Sequence, residues 1–379
     1  MEHIIKYYPV GNADCTLVKL SNGRTIIIDC YFREVEKDKD GNPTIFDLKE
    51  ELLLELNKKG GHPYVDLYIN THPHDDHMTG FSDHFYCGKP DDYDDKKDKE
   101  KIIVGELWVT PPTFTNKIAD SVACMRKEAK RRRALYDSDA EYQGEFGNYL
   151  RIIGYDQDKE FDKRYGYIPG KIVKEVDGHR LQWLEIFLHA PFKEEVSESK
   201  DKGDQNLTSI VMQFAFKVEG KDDVVCRAIF AGDAEYPVWE HILENNKEEN
   251  NLKWNLLLAP HHCSWTFFST NDSDKENVMD AAKSILEDYQ IGEGAHIIAS
   301  SNEIKDDGKN PPCYQAMKQY KKYLKKKEHF RCVATENVNK NGVAQPLVYT
   351  IGQHGKTLKT MSVGATEKAT SNPAPRAGE

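Results

Sequence analysis

A chain of 379 residues can bury a sizeable core, and its length suits one large domain better than two small ones. Charged residues make up 30% of it and the formal net charge is −11, so nothing pulls the whole surface toward nucleic acid or an anionic membrane; any basic footprint must be local. No apolar run approaches the roughly 18 residues of a membrane helix. The opening MEHIIKYYPVG lacks the apolar core of a signal peptide, which makes the expected location cytoplasmic, with no integral membrane segment. Eight cysteines (15, 30, 87, 124, 226, 263, 313 and 332) form no C-x-x-C pair and read as reduced core thiols rather than a disulfide framework or a thiolate zinc site.

The opening reads as strand, turn and strand: HIIKYYPVGNADCTLVKL, then SNGR, then TIIIDC. A helix is predicted around 46–59, where Phe46, Leu48, Leu52, Leu53 and Leu56 make an apolar face and Gly60 and Gly61 end it. The strand VDLYIN follows and delivers THPHDDHMTG; such alternation argues α/β packing. Residues 88–180 begin with the polar stretch GKPDDYDDKKDKEK and carry a predicted helix at 116–136, and they read as a partly helical insertion. LQWLEIFLHA, TSIVMQFAFKV, VVCRAIFAGD and WNLLLAP are expected strands, and 274–289 and 313–327 expected helices. One domain is expected over 1–363, with a disordered tail over 364–379.

His72 and His74 stand two apart at the end of a strand, so both imidazoles leave the same side and can converge on one ion. Asp76 and His77 follow at once. Where the chain turns out of the strand these two can face a second ion, giving a pair of metals of the kind two-metal hydrolases use. Asp233 ends the apolar run RAIFAG, where a strand hands over to a loop, and an aspartate there needs a cation or hydrogen-bond donors.

This H-x-H-x-D-H pattern resembles the signature of the metallo-β-lactamase superfamily. The remaining motifs are similar to those of the hydrolase domain of ComEC-type competence proteins: VGNADCTLVKLSNGRTIIIDC, QNLTSIVMQF, AGDAE and PHHCS. The resemblance implies an α/β fold of the four-layer αββα sandwich type, with the metals between loops at one edge. It also implies that Asp233 bridges two divalent ions. One ion would be held by His72, His74 and His189, the other by Asp76, His77 and His262. Asp204 or Asn206 is the alternative to His189, which is otherwise a core or loop histidine. Neighbours in an extended segment point to opposite faces, so only one of His261 and His262 is expected to ligate. His262 fits the H-x-S pattern of the relatives, leaving His261 to face the substrate. Cys263 stands where they usually carry glycine. Asp29 is expected to orient a ligating histidine, and Asp14 to hold loops by hydrogen bonds.

The implied reaction is metal-dependent hydrolysis by a hydroxide bridged between two metals, with Asp76, Asp233 and His261 as the catalytic side chains. Zinc suits imidazole-rich ligation, and manganese also fits a mixed nitrogen and carboxylate site. A phosphodiester-containing substrate, nucleic acid or nucleotide, is favoured, with Arg131, Arg132 and Arg133 on the inserted helix as phosphate contacts and Trp265 as a stacking wall. Hydrolysis of a carbon ester, thioester or lactone is the alternative, and a non-catalytic, metal-stabilised module that binds a protein partner the third reading.

Overall fold

The computed structural model describes residues 2–115, 122–138, 144–157, 159–246 and 248–359. The expected tail at 364–379 and the first turns of the helix expected from 116 lie outside them.

Strand alternation organises the core. In Thr25–Ile28 every residue is buried, yet Ile26 and Ile28 enter one apolar cluster and Ile27 another, because successive side chains leave opposite faces of a strand. The strand belongs to a mixed ten-stranded sheet. Its order from one edge is Gly166–Tyr167, Tyr149–Ile153, Ile103–Val109, His62–Ile69, Thr25–Ile28, Thr16–Lys19, His3–Tyr7, Leu347–Gly352 and Gly355–Lys359, with Asn57–Lys59 paired onto His62–Ile69. A second, seven-stranded sheet runs Ile172–Val173, Leu184–Ala190, Val211–Val218, Lys221–Phe230, Leu256–Leu258, His296–Ala299 and Phe330–Cys332.

One cluster draws on both sheets, joining Ile26, Ile28, Leu67 and Ile69 of the first to Ile186, Met212, Phe214 and Phe230 of the second. Another joins Ile27, Val65, Tyr68 and Leu107 to Leu52, Phe81 and Met125 of the helices Leu48–Glu55, Phe81–His84 and Ala123–Asp137. A third joins Ile229, Leu257 and Ile297 to Trp239, Ile285 and Tyr320 of the helices Tyr236–Asn245, Asp280–Glu287 and Tyr314–Tyr323. The molecule is therefore mixed α/β, with apolar layers on both faces of both sheets. Among the described residues no helix is long and apolar enough to cross a membrane.

Two expectations change. The segment 88–180, read as an insertion, is built into the large sheet over part of its length. Ile103–Val109 is buried throughout and lies parallel between His62–Ile69 and Tyr149–Ile153. Its polar neighbours hid a core strand. Cys87 and Cys124, expected as free thiols, form a disulfide that ties the segment after helix Phe81–His84 to the first turn of helix Ala123–Asp137. Their separation of 37 residues carries no motif, so only the packing of the two helices brings them together.

Candidate metal centre

The site begins where His62–Ile69 leaves the sheet. Asp29 follows the neighbouring strand in a left-handed conformation, φ 55°, and its amide donates to Ile69 O at 2.8 Å. Its carboxylate then accepts from Thr71 N at 2.7 Å, Thr71 Oγ1 at 2.6 Å and Asn70 Nδ2 at 3.2 Å, and lies 2.8 Å from His77 Nδ1. Burial raises its pKa, and His77 and Thr71 offset part of that rise. With Nδ1 bound to Asp29, His77 turns Nε2 inward, the arrangement expected for a carboxylate that orients a ligand. The short turn Asp75–His77 brings Asp76 beside it.

Asp233 reaches the same place from the second sheet. Gly232 before it has φ 48°, and a Cβ there would stand 2.6 Å from Thr71 Oγ1, so only glycine lets the two loops meet this closely. The Asp233 amide donates to Ser209 Oγ at 3.1 Å, and the His261 amide to Gly232 O at 3.0 Å.

The two oxygens of Asp233 face two different groups. Oδ2 stands 3.4 Å from His261 Nε2 and 3.7 Å from His72 Nε2, which is itself 3.1 Å from His74 Nδ1. Oδ1 stands 3.0 Å from His77 Nε2 and 3.6 Å from His262 Nε2, with Asp76 Oδ2 3.4 Å from that same His262 nitrogen. Ligands about 2.1 Å from a tetrahedral ion stand about 3.4 Å from one another, so these separations are compatible with a shared cation. Asp14, His77, Asp233 and His262, all buried, can hold a metal ion, and His72, His74 and Asp233 form a second such group.

Hydrogen bonding points the same way. His77 Nε2, His262 Nε2 and Asp233 Oδ1 are buried with no hydrogen-bond partner among the described residues, although they converge. A buried polar atom without a partner is costly, and three aimed at one point fit a cation. Burial works against charge on His262, yet Asp233 and Asp14 outweigh it and push its pKa up to about 10. Burial likewise opposes the ionised Asp233, and His77, His261 and His262 overcome it and hold the carboxyl well below its usual range. His72, with less compensation, is driven down by burial.

The histidine pair corrects an expectation. His261, His262 and Cys263 all have left-handed backbone, φ 50°, 51° and 70°, so the segment is not extended and the rule that neighbours point apart does not apply. Both imidazoles turn toward Asp233, one to each oxygen. Cys263 adopts the conformation that glycine would supply, and its thiol is buried in the core beside Cys313 rather than at the site.

Other expected site residues are not brought to the centre. His189 lies on the face of its strand that carries Phe187, whose ring is 4.7 Å away, and its Nε2 is 2.9 Å from Asn251 O. Burial pushes its pKa down to about 4, which keeps it a neutral core histidine. The alternatives Asp204 and Asn206 bond to each other, and Asn206 donates to Glu235. Arg132, expected as a phosphate contact, is buried and donates to Glu128 and to the carbonyls of Val104, Gly105 and Tyr149. Arg131 is committed to Glu128, Asn148 and Gly147, while Arg133 pairs with Asp137 and lies over the rings of Phe114, Phe161 and Tyr165. Trp265, expected as a stacking wall, is fully buried and donates to Asn271 O.

Asp14, read as a loop-holding residue, comes within 3.6 Å of His262 Nδ1 and 4.0 Å of His77 Nδ1. Ser209 and Thr71, which fix Asp233 and Asp29, carry no charge to mark them; only their places in QNLTS and NTHPH are a signal. Compared with known proteins, the chain matches no protein-family model and no curated relative.

Proposed function

We propose that this chain is a hydrolase of the metallo-β-lactamase type, its two sheets packed face to face between helices as a four-layer αββα sandwich, and that it cleaves phosphodiesters with two divalent ions. The observation that carries this reading is the Asp233 carboxylate, with one oxygen toward His72 and His261 and the other toward His77 and His262. A carboxylate so divided is suited to bridging. His72, His74 and His261 would hold one ion, and Asp76, His77 and His262 the other. Bound there, the ions supply Lewis-acid activation of water and neutralise charge that builds on the substrate's oxygens. The protein's own contribution is to fix the ligands: Asp29 sets the tautomer of His77, Asp14 faces the outer nitrogen of His262, and Ser209 holds the Asp233 backbone. An imidazole-rich set favours zinc over manganese.

The carbon-ester reading gains from one specific observation. Arg131, Arg132 and Arg133 are all engaged within the protein, so these three arginines are poor candidates for recognising a polyanion. Assaying zinc- and manganese-loaded protein against bis-p-nitrophenyl phosphate, DNA, RNA and a panel of lactones and thioesters separates the two. Turnover of phosphodiesters is the expected result. Turnover confined to lactones or thioesters gives the carbon-ester hydrolase instead.

A further inference from the structure

The outer nitrogens of two metal-facing histidines are met by carboxylates, Asp29 for His77 and Asp14 for His262. At His261 the outer nitrogen meets a hydroxyl instead: its Nδ1 lies 3.2 Å from Thr266 Oγ1. Which of the two gives the proton decides which ring nitrogen is bare, and the bonds behind Thr266 answer that one proton at a time.

The chain of bonds starts at Asn310. Its Nδ2 donates to Asp272 Oδ1 at 2.8 Å and its Oδ1 accepts from the Trp265 amide at 2.9 Å, so a carboxylate and a backbone N–H together fix which way the side-chain amide faces. Ser264 Oγ is 2.9 Å from that same Oδ1 and spends its one proton there; Ser264 is fully buried, so water does not compete for its bonds. It can then only accept, and does so from the Thr266 amide at 3.2 Å and from Thr266 Oγ1 at 3.1 Å. The Thr266 hydroxyl has thereby given its one proton away, and toward His261 it can only accept. Nδ1 of His261 must carry the hydrogen, which leaves Nε2 a lone pair.

Glu235 favours the same tautomer. Its Oε1 accepts from Asn206 Nδ2 at 3.3 Å and stands 3.7 Å from His261 Nδ1, too far for a hydrogen bond but close enough to favour a ring proton on that side. On the inner side, the bare Nε2 faces Asp233 Oδ2 at 3.4 Å. Two lone pairs so placed repel each other, and a cation between them turns both into ligands.

We infer that Thr266 is the positioning residue of His261: its hydroxyl, locked by Ser264 and Asn310, holds the imidazole as the Nδ1–H tautomer and so presents Nε2 to the ion shared with His72 and His74. Thr266 acts through His261 and not on the substrate. The inference rests on the metal-centre reading and is indifferent to the choice between phosphodiester and carbon ester.

The test compares full-length wild type, T266V, which keeps the branched shape and loses the acceptor, and T266S, which restores the hydroxyl. Ring nitrogens are observed by long-range proton–nitrogen correlation on metal-free protein labelled in its histidines, at about pH 8, where an ordinary imidazole is neutral. His261 is assigned by its loss in H261Q. Zinc is then titrated in competition with a chelator. Wild type and T266S are expected to show Nδ1–H at His261, and T266V to move the proton onto Nε2 in much of the population. One of the two zinc affinities should fall about 10- to 100-fold in T266V and recover in T266S, as for other groups that orient a ligating histidine, while the second stays at its wild-type value. His262 belongs to the same loop and serves the other ion, so a Thr266 that merely stiffened the loop would weaken both; equal loss at the two sites overturns the inference. So does Nε2–H in wild type, or a T266V protein with wild-type tautomer and affinities. Should T266V fail to fold, T266A removes the same acceptor and is read in the same way. If wild type binds no divalent ion, the metal centre fails as a whole, and the ring spectra of wild type and T266V still decide whether Thr266 sets His261.

Discussion

Two of the buried ionic groups among the described residues differ in how they are closed. On helix Ala123–Asp137, Glu128 is gripped by Arg131 and Arg132, and Arg132 spends its remaining donors on three backbone carbonyls. At the metal centre, Asp233 faces four histidines while its Oδ1 and two of the facing nitrogens lack hydrogen bonds among the described residues. Both groups are rich in charge. The first is complete as protein, and the second leaves convergent atoms that a cation could satisfy. Unsatisfied, convergent atoms therefore point to a candidate ligand site better than the density of charge does.

Removing the central member of each group tests that contrast most strongly. Asp233→Ala should lose both metals and drop hydrolysis to background while the protein stays folded, read by elemental analysis and circular dichroism. Retention of two metals would break the comparison. Arg132→Met should do the reverse: unfolding in denaturant should show a loss of about 3–5 kcal/mol, because Glu128 is left buried with less compensation, while bound metal per folded chain is unchanged.

A third group sharpens the point, since its repulsion is only partly relieved, by Arg24 on Asp66 and Arg151 on Glu106. Burial, with Glu106 and Asp66 nearby, pushes the Asp177 carboxyl up to about 7. A folded pKa above the unfolded value means that its stabilisation is full below about pH 4 and is lost as pH rises through 7. Asp177→Asn should flatten stability between those limits and raise it at pH 8 by at most about 4 kcal/mol, as urea titrations across that range would reveal. No change in slope would mean that the carboxyl titrates normally. The smallest effect is expected from Asp29→Asn. Asparagine tolerates the left-handed backbone at this position but no longer matches the His77 Nδ1–H, so zinc affinity in competition with a chelator should fall about 10- to 100-fold with the fold preserved.

What could be read from sequence follows the same division. His72, His74, Asp76 and His77 were legible because one strand end and one turn fix them locally, and Asp233 because an aspartate ending an apolar strand is conspicuous. His189 ends an apolar strand too, but alternation puts it with Phe187 on the outer face, and the register shift between Leu188 and Ala190 falls at this residue. A bulge of that kind leaves no trace in composition. Asp14 was expected to hold loops but not to stand at the site, because nothing in its opening segment shows that the stretch between Tyr7 and Thr16 comes to lie against His262. The arginines misled for a related reason: a basic helix face looks solvated until the carbonyls and carboxylate that absorb it are known. Helix positions transferred well, Leu48–Glu55, Asp280–Glu287 and Tyr314–Tyr323 falling inside the expected ranges.

The run of left-handed residues at His261, His262 and Cys263 has a thermodynamic side. Each such residue other than glycine costs roughly 1–2 kcal/mol, and the loop is held in place by the buried Trp265, whose amide binds Asn310 Oδ1, and by the Cys313 amide bound to Cys263 O. Local opening of this segment relieves that backbone cost but gives up its packing and hydrogen bonds. Ions that engage the two histidines would raise the free energy of that opening by mass action, so amide exchange across 260–266 should slow on metal loading.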